Sequence, residues 1–390
     1  MTYTEACLAI NMIPKVGPVR LRRLLQVFDE PQAILRAPAD RLAGVEGIGP
    51  EIARRIVGWE SLVDLPAELT RMADAGIHVL TAQSDVYPPL LRSIHDPPIV
   101  LYVWGELTAA DAQAVGVVGS RQSTVYGVEV ARKFSYQLAS AGYTIFSGLA
   151  RGIDTAAHQG ALAAQRRTVA VLGCGLSHIY PPENFALAER IADGFGAVIS
   201  EFPMFVPPDR TTFPMRNRII SGCSQGVVVV EAGLQSGALI SANQAAEQSR
   251  TVFAVPGPID RPSSQGTNQL IQQGAKLVVS VEDIVEELTM LPGIVAPPTR
   301  RRPQDAPRAE SSRPAVTAPS ELPVATPVVP LVLNPNEQAV YDAISPEETP
   351  VDLIIVKCGL PTPVVSSSLF TLELKKLIKQ LPGKHYVRLS

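Results

Sequence analysis

The chain has 390 residues, 46% of them hydrophobic; at about 150 residues per domain this predicts two to three domains with cores of their own. No apolar run approaches the roughly 18–20 residues of a membrane-spanning helix, and the four cysteines, Cys7, Cys174, Cys223 and Cys358, form no CxxC pair, so neither a membrane partner nor a metal site is expected. A net charge of −3 excludes a protein that coats nucleic acid by bulk basicity, so any anion site must be local.

The start, Met1-Thr2-Tyr3-Thr4-Glu5, lacks the basic and apolar regions of a secretory signal, and a cytoplasmic protein is expected. Residues 1–65 show no strand-like run. Short helical pairs are joined by Gly-centred hairpins, Lys15-Val16-Gly17-Pro18 and Val45-Glu46-Gly47-Ile48-Gly49-Pro50. The second, followed by Ala53 and Ile56 at helical spacing, reads as a helix-hairpin-helix motif, whose turn amides can hold a DNA phosphate. A small protein-interaction module accounts for the same pattern, and Arg54 and Arg55 fit either. Residues 66–112 are assigned as a connecting extension.

From residue 113 to 290 short β-branched runs alternate with helical stretches. The predicted strands are Ala114–Val118, Tyr143–Phe146, Thr168–Leu172, Ala197–Ser200, Val227–Val230, Thr251–Val255 and Lys276–Val279, with helices such as Thr124–Ser140 and Ala238–Ser249 between them. Strands apolar on both faces in strict alternation with helices predict an α/β fold with a parallel sheet, whose ligands bind beyond the carboxyl ends of the strands. Residues 291–330 hold ten prolines and an Arg300-Arg301-Arg302 run, and read as a linker. The tail, 331–390, is a separate small domain with six basic and six acidic residues.

Four strand ends carry candidate chemistry. Gly119-Ser120-Arg121 offers a tight turn, a hydroxyl and a guanidinium before a helix opened by Thr124, which suits a phosphate seat; a plain strand-to-helix turn is the alternative. Ser147-Gly148-Leu149-Ala150-Arg151-Gly152-Ile153-Asp154 allows close backbone approach, with Asp154 suited to an N-cap, Arg151 free to pair with it, and His158 expected to be structural. Gly173-Cys174-Gly175 lacks the third glycine and acidic partner of a dinucleotide fingerprint, and GxxxxGK[ST] is absent, so neither NAD nor ATP is expected as a cofactor. Cys174 has no activating neighbours in sequence.

The densest cluster is Arg210-Thr211-Thr212-Phe213-Pro214-Met215-Arg216-Asn217-Arg218. Three arginines and a ring supply charges for a backbone and a face for a base, the two halves of single-strand recognition; a salt-bridged helix with Phe213 in the core is the competing account. Ser236 and Gly237 precede a further helix and can add amide donors.

These motifs, with Tyr180-Pro181, Phe213–Ser224, Ser236–Ala242, Arg250–Gly257 and Gly266-Thr267-Asn268-Gln269-Leu270-Ile271, strongly resemble the DprA (Smf) family of DNA-processing proteins of bacterial natural transformation. The resemblance implies an extended Rossmann-like core that binds single-stranded DNA, forms a homodimer and loads RecA, with possible contact to single-strand-binding protein. It implies a SAM-like N-terminal module and a winged-helix tail, the latter over Glu337–Ile344, Val351–Cys358, Thr362–Leu372 and a Gly383–Arg388 hairpin. Carried over by position, Gly119, Ser120 and Arg121 are the family's phosphate-gripping turn, and Arg216, Asn217 and Arg218 its basic segment. Phe213 is the stacking ring, and Arg210 falls where relatives are basic. Arg167 stands where the family often has Lys, and Ser236-Gly237-Ala238-Leu239 replaces the usual SGSL. The expectation is a non-enzymatic recombination mediator. The alternatives are a nucleotide phosphoribohydrolase using Glu231, whose PGGxGTxxE signature is missing, and a protein scaffold.

Overall fold

In the computed structural model the described residues are 1–289, 333–345, 349–375, 377–381 and 385–388. The proline-rich stretch 291–330 lies outside them, as do Gly383 and Lys384 of the expected hairpin. The chain divides into two units, Met1–Asp305 and Ala306–Ser390.

Contiguous β-branched runs build the sheet of the first unit. The strands are β1 (Ile77–Leu80), β2 (Leu101–Gly105), β3 (Ala114–Val118), β4 (Thr144–Ser147), β5 (Thr168–Val171), β6 (Gly196–Ser200), β7 (Gly226–Val229), β8 (Thr251–Ala254) and β9 (Lys276–Leu277). Their order across the sheet is β1-β2-β6-β5-β4-β3-β7-β8-β9. From β6 to β9 every pair is parallel, and every residue of β3 to β7 is buried, which is why these segments are apolar on both faces. Helices Val125–Ser140 and Ile153–Ala163 cover one face, packing Phe134, Leu138, Ala157 and Ala161 against Val115, Val117 and Ile145. Helices Thr212–Cys223 and Gly237–Glu247 cover the other, with Ile219, Ile220, Ala242 and Ala245 against Val227 and Val229. Full burial of each of the Val, Leu, Ile and Phe side chains among these is worth about 1.5–3 kcal/mol.

The strand order reverses at β3. The chain proceeds β3-β4-β5-β6 to one side, then returns so that β7 pairs with the other side of β3, with Val118 opposite Val229. Such a reversal opens a crevice at the carboxyl ends of the strands, because the flanking connections leave in opposite directions.

Residues 66–112 are more than a connector. Strand β2 extends the sheet antiparallel to β6, with Tyr102 opposite Ser200, β1 pairs antiparallel with β2 at the sheet edge, and the helix Leu65–Asp74 crosses the expected boundary at 65. The buried carboxylate of Glu68 ties them together, accepting from Tyr102 Oη at 3.0 Å and Met204 N at 2.8 Å. The N-terminal helices Tyr3–Met12, Pro18–Phe28, Pro31–Arg36, Ala39–Ala43 and Pro50–Val57 share one core with this edge. Their two hairpins are stitched by Arg20, which donates to Lys15 O at 2.8 Å and Gly47 O at 3.1 Å. Gly47 has φ +78°, a conformation that glycine adopts without penalty.

The second unit has helices Pro335–Ala343, Val351–Cys358 and Thr362–Leu374 and a three-stranded antiparallel sheet, β10 (Thr349–Pro350), β11 (Ile378–Leu381) and β12 (His385–Arg388), ordered β10-β12-β11. Val340, Ile344, Ile354, Val365, Leu369 and Ile378 form its core, the helical triplet and small sheet of a winged helix.

Candidate nucleic-acid interface

At the reversal point the loops after β3, β5 and β7 and the helices Thr212–Cys223 and Gly237–Glu247 enclose an open groove of about 740 Å³. Ser120, Arg121, Arg210, Phe213, Asn217 and Gly237 are among its walls. The turn after β3 is built by close packing. A Cβ on Gly119 would lie 2.5 Å from Ile153 Cγ1, and one on Gly152, where φ is +76°, 2.4 Å from Ser120 O. Ser120 N donates to Glu231 O at 2.7 Å, joining this turn to the end of β7.

The helix that follows does not present a free N-terminus. Thr124 Oγ1 accepts from Gly127 N, while Thr124 N and Oγ1 donate to the two carboxylate oxygens of Glu231 at 2.8 and 2.6 Å. Glu231 is buried and completes the cap, so the helix dipole already has its anion. The helix N-terminus is therefore not available to the expected phosphate seat, which is left with the side chains of the turn itself. The cationic group the turn exposes is the Arg121 guanidinium, which stands over the Phe213 ring, 4.9 Å from its centroid. Glu231, the residue named for the alternative phosphoribohydrolase reading, is thus engaged in this cap.

The helix Thr212–Cys223 explains why its arginines differ. Successive residues turn by about 100°, so Arg216 and Arg218 point to nearly opposite sides. Arg216 faces inward under the groove and is only 4% exposed; Nη1 donates to Gly148 O at 2.7 Å and to Val171 O, and Nε to Asn217 Oδ1 at 3.1 Å. Burial lowers this guanidinium to about 10. Asn217 reaches Gly237 O at 3.4 Å across the groove. Arg218 lies on the far side, donating to Asp96 Oδ2 at 2.8 Å and Glu201 Oε2 at 2.7 Å with its side chain 7% exposed. Burial opposes its charge, yet the two carboxylates more than offset that and hold it above its ordinary value. Arg218, expected to touch DNA, is therefore an internal clamp.

Arg167 is likewise committed elsewhere. It precedes β5, at the amino end of the sheet away from the groove, and donates to both oxygens of Asp111 at 2.8 and 2.7 Å and to Glu106 O at 2.7 Å. Arg210 is exposed at the groove mouth. Ser236 caps the helix Gly237–Glu247 by accepting from Ala238 N at 3.3 Å, and both Ser236 and Gly237 line the groove. Phe213 is half-buried: it packs on Gly173, where a Cβ would come within 2.8 Å, and lies 5.8 Å from the Tyr180 ring, so a base reaches it only by displacing or stacking on Arg121.

Asp154 is not an N-cap; Gly152 is, and the buried Asp154 carboxylate accepts from Gly148 N at 3.1 Å and Ala150 N at 3.4 Å. Arg151 pairs with Glu183 instead. His158 is structural as expected: Thr168 Oγ1 donates to Ile145 O, so it accepts from His158 Nδ1 at 2.7 Å, which fixes the tautomer. Burial pushes the Cys174 thiol up to about 11, and Sγ donates to His178 O, so no nucleophile is poised there. Tyr180, Arg151 and Gln235 also border the groove or its extension and were not among the expected site residues. Their signal was the small-residue loops after β4, β5 and β7, which mark close approach without saying which side chain follows it.

The described residues contain no group of three His, Cys, Asp or Glu able to hold a metal, and no helix among them is long and apolar enough to cross a membrane.

Comparison with known proteins gives three matches along the chain: DNA recombination-mediator protein A over residues 78–289, a SAM-like helix-hairpin-helix tandem over 8–58, and the DprA winged helix domain over 320–384. Protein Smf of Escherichia coli is 45% identical over 312 residues, spanning 80% of this chain and 77% of its own. Protein Smf of Synechocystis is 36% identical over 98% of both chains. The crystal structure of DNA processing protein A from Streptococcus pneumoniae superposes with a TM-score of 0.65 at 33% identity, covering 74% of this chain and 99% of that one. With one family matched over more than half its length and a relative aligned almost end to end, the chain belongs to the DNA recombination-mediator protein A (DprA/Smf) family.

Proposed function

We propose that this protein is a non-enzymatic mediator that binds single-stranded DNA in the groove at the sheet reversal, acts in the cytoplasm as a homodimer, and delivers the strand to RecA, with single-strand-binding protein as a further contact. One observation carries the reading: Arg121 and Arg210 are exposed at an open groove that also holds a half-buried ring, Asn217 and the turn at Ser236-Gly237. Exposed guanidiniums suit phosphates, and a ring with a guanidinium on its face suits an unstacked base, which a duplex does not offer. Arg216 and Asn217 fix the floor. The N-terminal hairpins and the winged helix serve as auxiliary contacts.

Fluorescence anisotropy of a labelled single strand and its duplex at two salt concentrations tests the proposal. Single-strand preference is expected, and Arg121→Gln should weaken binding and flatten the log–log salt slope by about 0.7, one phosphate contact. Preference for duplex, or an unchanged slope in the variant, refutes it.

A further inference from the structure

Beside the groove lies a second, smaller chamber of about 20 Å³, walled by Arg121, Arg151, Arg216, Tyr180, Phe213 and the backbone at Gly148. Three arginines line it. Arg216 is more than nine-tenths buried; its Nε and Nη1 are taken by Asn217, Gly148 and Val171, and Nη2 has no protein partner among the described residues. Arg121 has a ring beneath it and no carboxylate partner among them. Arg151 pairs with Glu183, both side chains being about half exposed, and also interacts with the Tyr180 side chain. The other nearby anion, Asp154, is turned into the amides of Gly148 and Ala150, and burial raises its pKa. Among the described residues three arginines thus stand near two carboxylates, of which Asp154 is committed to the chamber's own wall.

Size decides what can enter. Space on the order of one water-sized probe admits an oxyanion oxygen but neither a base nor a chain running through. An internal phosphodiester has two chain exits and one negative charge; a terminal phosphomonoester has one exit and about −1.5 to −2 at neutral pH. The second better matches the surplus of cationic charge, since guanidiniums bind phosphate oxygens in paired fashion.

We infer that this side chamber takes an oxygen of the terminal phosphomonoester of a strand or nucleotide whose sugar and base lie in the main groove, with Arg151 turning from Glu183 to the phosphate. The inference rests on the strand-binding reading above. Either strand end supplies this chemistry, and the arms of the test separate them.

The experiment is competition by thymidine tetranucleotides carrying a 5′-phosphate, a 3′-phosphate or neither, and by a circular single strand, against a labelled unphosphorylated oligonucleotide. One phosphorylated tetramer should compete about tenfold better than the unphosphorylated one, the size of one charge-assisted contact pair. Arg151→Gln should abolish that gain, and Glu183→Gln, which releases Arg151, should widen it. Equal competition by all three tetramers while the circular strand still binds, or a gain that survives Arg151→Gln, overturns the inference alone. Failure of the circular strand to bind overturns the reading beneath it.

Discussion

Replacing Arg218 by Met should damage the fold while sparing the DNA contacts. Its guanidinium bridges Asp96 and Glu201, and the Glu201 side chain is 7% exposed with Oε1 already lacking a partner. Met keeps the apolar stem but leaves the Glu201 carboxylate buried and uncompensated, a loss of about 3–5 kcal/mol. For a unit of this size each kcal/mol moves the midpoint by roughly 2–4 °C, so thermal unfolding followed by circular dichroism should shift down by about 6–20 °C. Removing the stranded acid as well, in Arg218→Met with Glu201→Leu, should recover at least half of the loss, because an apolar pair of similar volume replaces a buried ion pair at little cost. Single-strand affinity of Arg218→Met, measured well below its midpoint, should stay within about threefold of the parent, since no counterion-releasing contact is removed. An unchanged midpoint together with a tenfold loss of affinity would show that Arg218 reaches DNA and that the clamp is misassigned.

Burial holds the His158 imidazole down at about 3, against an ordinary 6.5, with the Arg216 charge adding to the effect. A base depressed in the folded state contributes stability that is complete above 6.5 and lost as pH falls below it, so at pH 5 the cost is about 2 kcal/mol. Urea unfolding at pH 7.5 and 5.0 should therefore show His158→Gln losing about 2 kcal/mol less than the parent over that interval; equal losses would refute the assignment. Gly148→Ala would place a methyl 2.5 Å from Arg216 Nη1, displacing a guanidinium that is boxed in by two carbonyls. A stability loss of about 1–3 kcal/mol is expected in thermal unfolding, as for overpacking elsewhere, along with a weakened single-strand affinity. A variant matching the parent in both would mean that Arg216 is not fixed by this loop.

The central sheet was legible in the sequence because burial on both faces demands uninterrupted apolar runs, and Ala114–Val118 and Thr168–Val171 show them plainly. That ligands would meet the carboxyl ends of the strands followed from the same pattern, whereas the strand order that puts the reversal and its crevice at β3 came from the tertiary structure. Strands β1 and β2 are not legible in the same way because neither is buried along its whole length: β1 at the sheet edge and the end of β2 leave positions partly or fully exposed, so no uninterrupted two-faced apolar run marks them. The helix-hairpin-helix turns were visible, but not that arginines from the first helix pair would tie them together. The arginines show the limit most clearly. Sequence grouped Arg216, Asn217 and Arg218 into one basic segment, whereas about 100° per residue divides them between the groove floor and an internal clamp. Which cations remained available to a ligand was decided by carboxylates far along the chain: Asp96 lies 122 residues from Arg218, and Asp111 lies 56 from Arg167. A charge is free or committed according to what lies within a few ångströms, and only tertiary packing brings those partners within that distance.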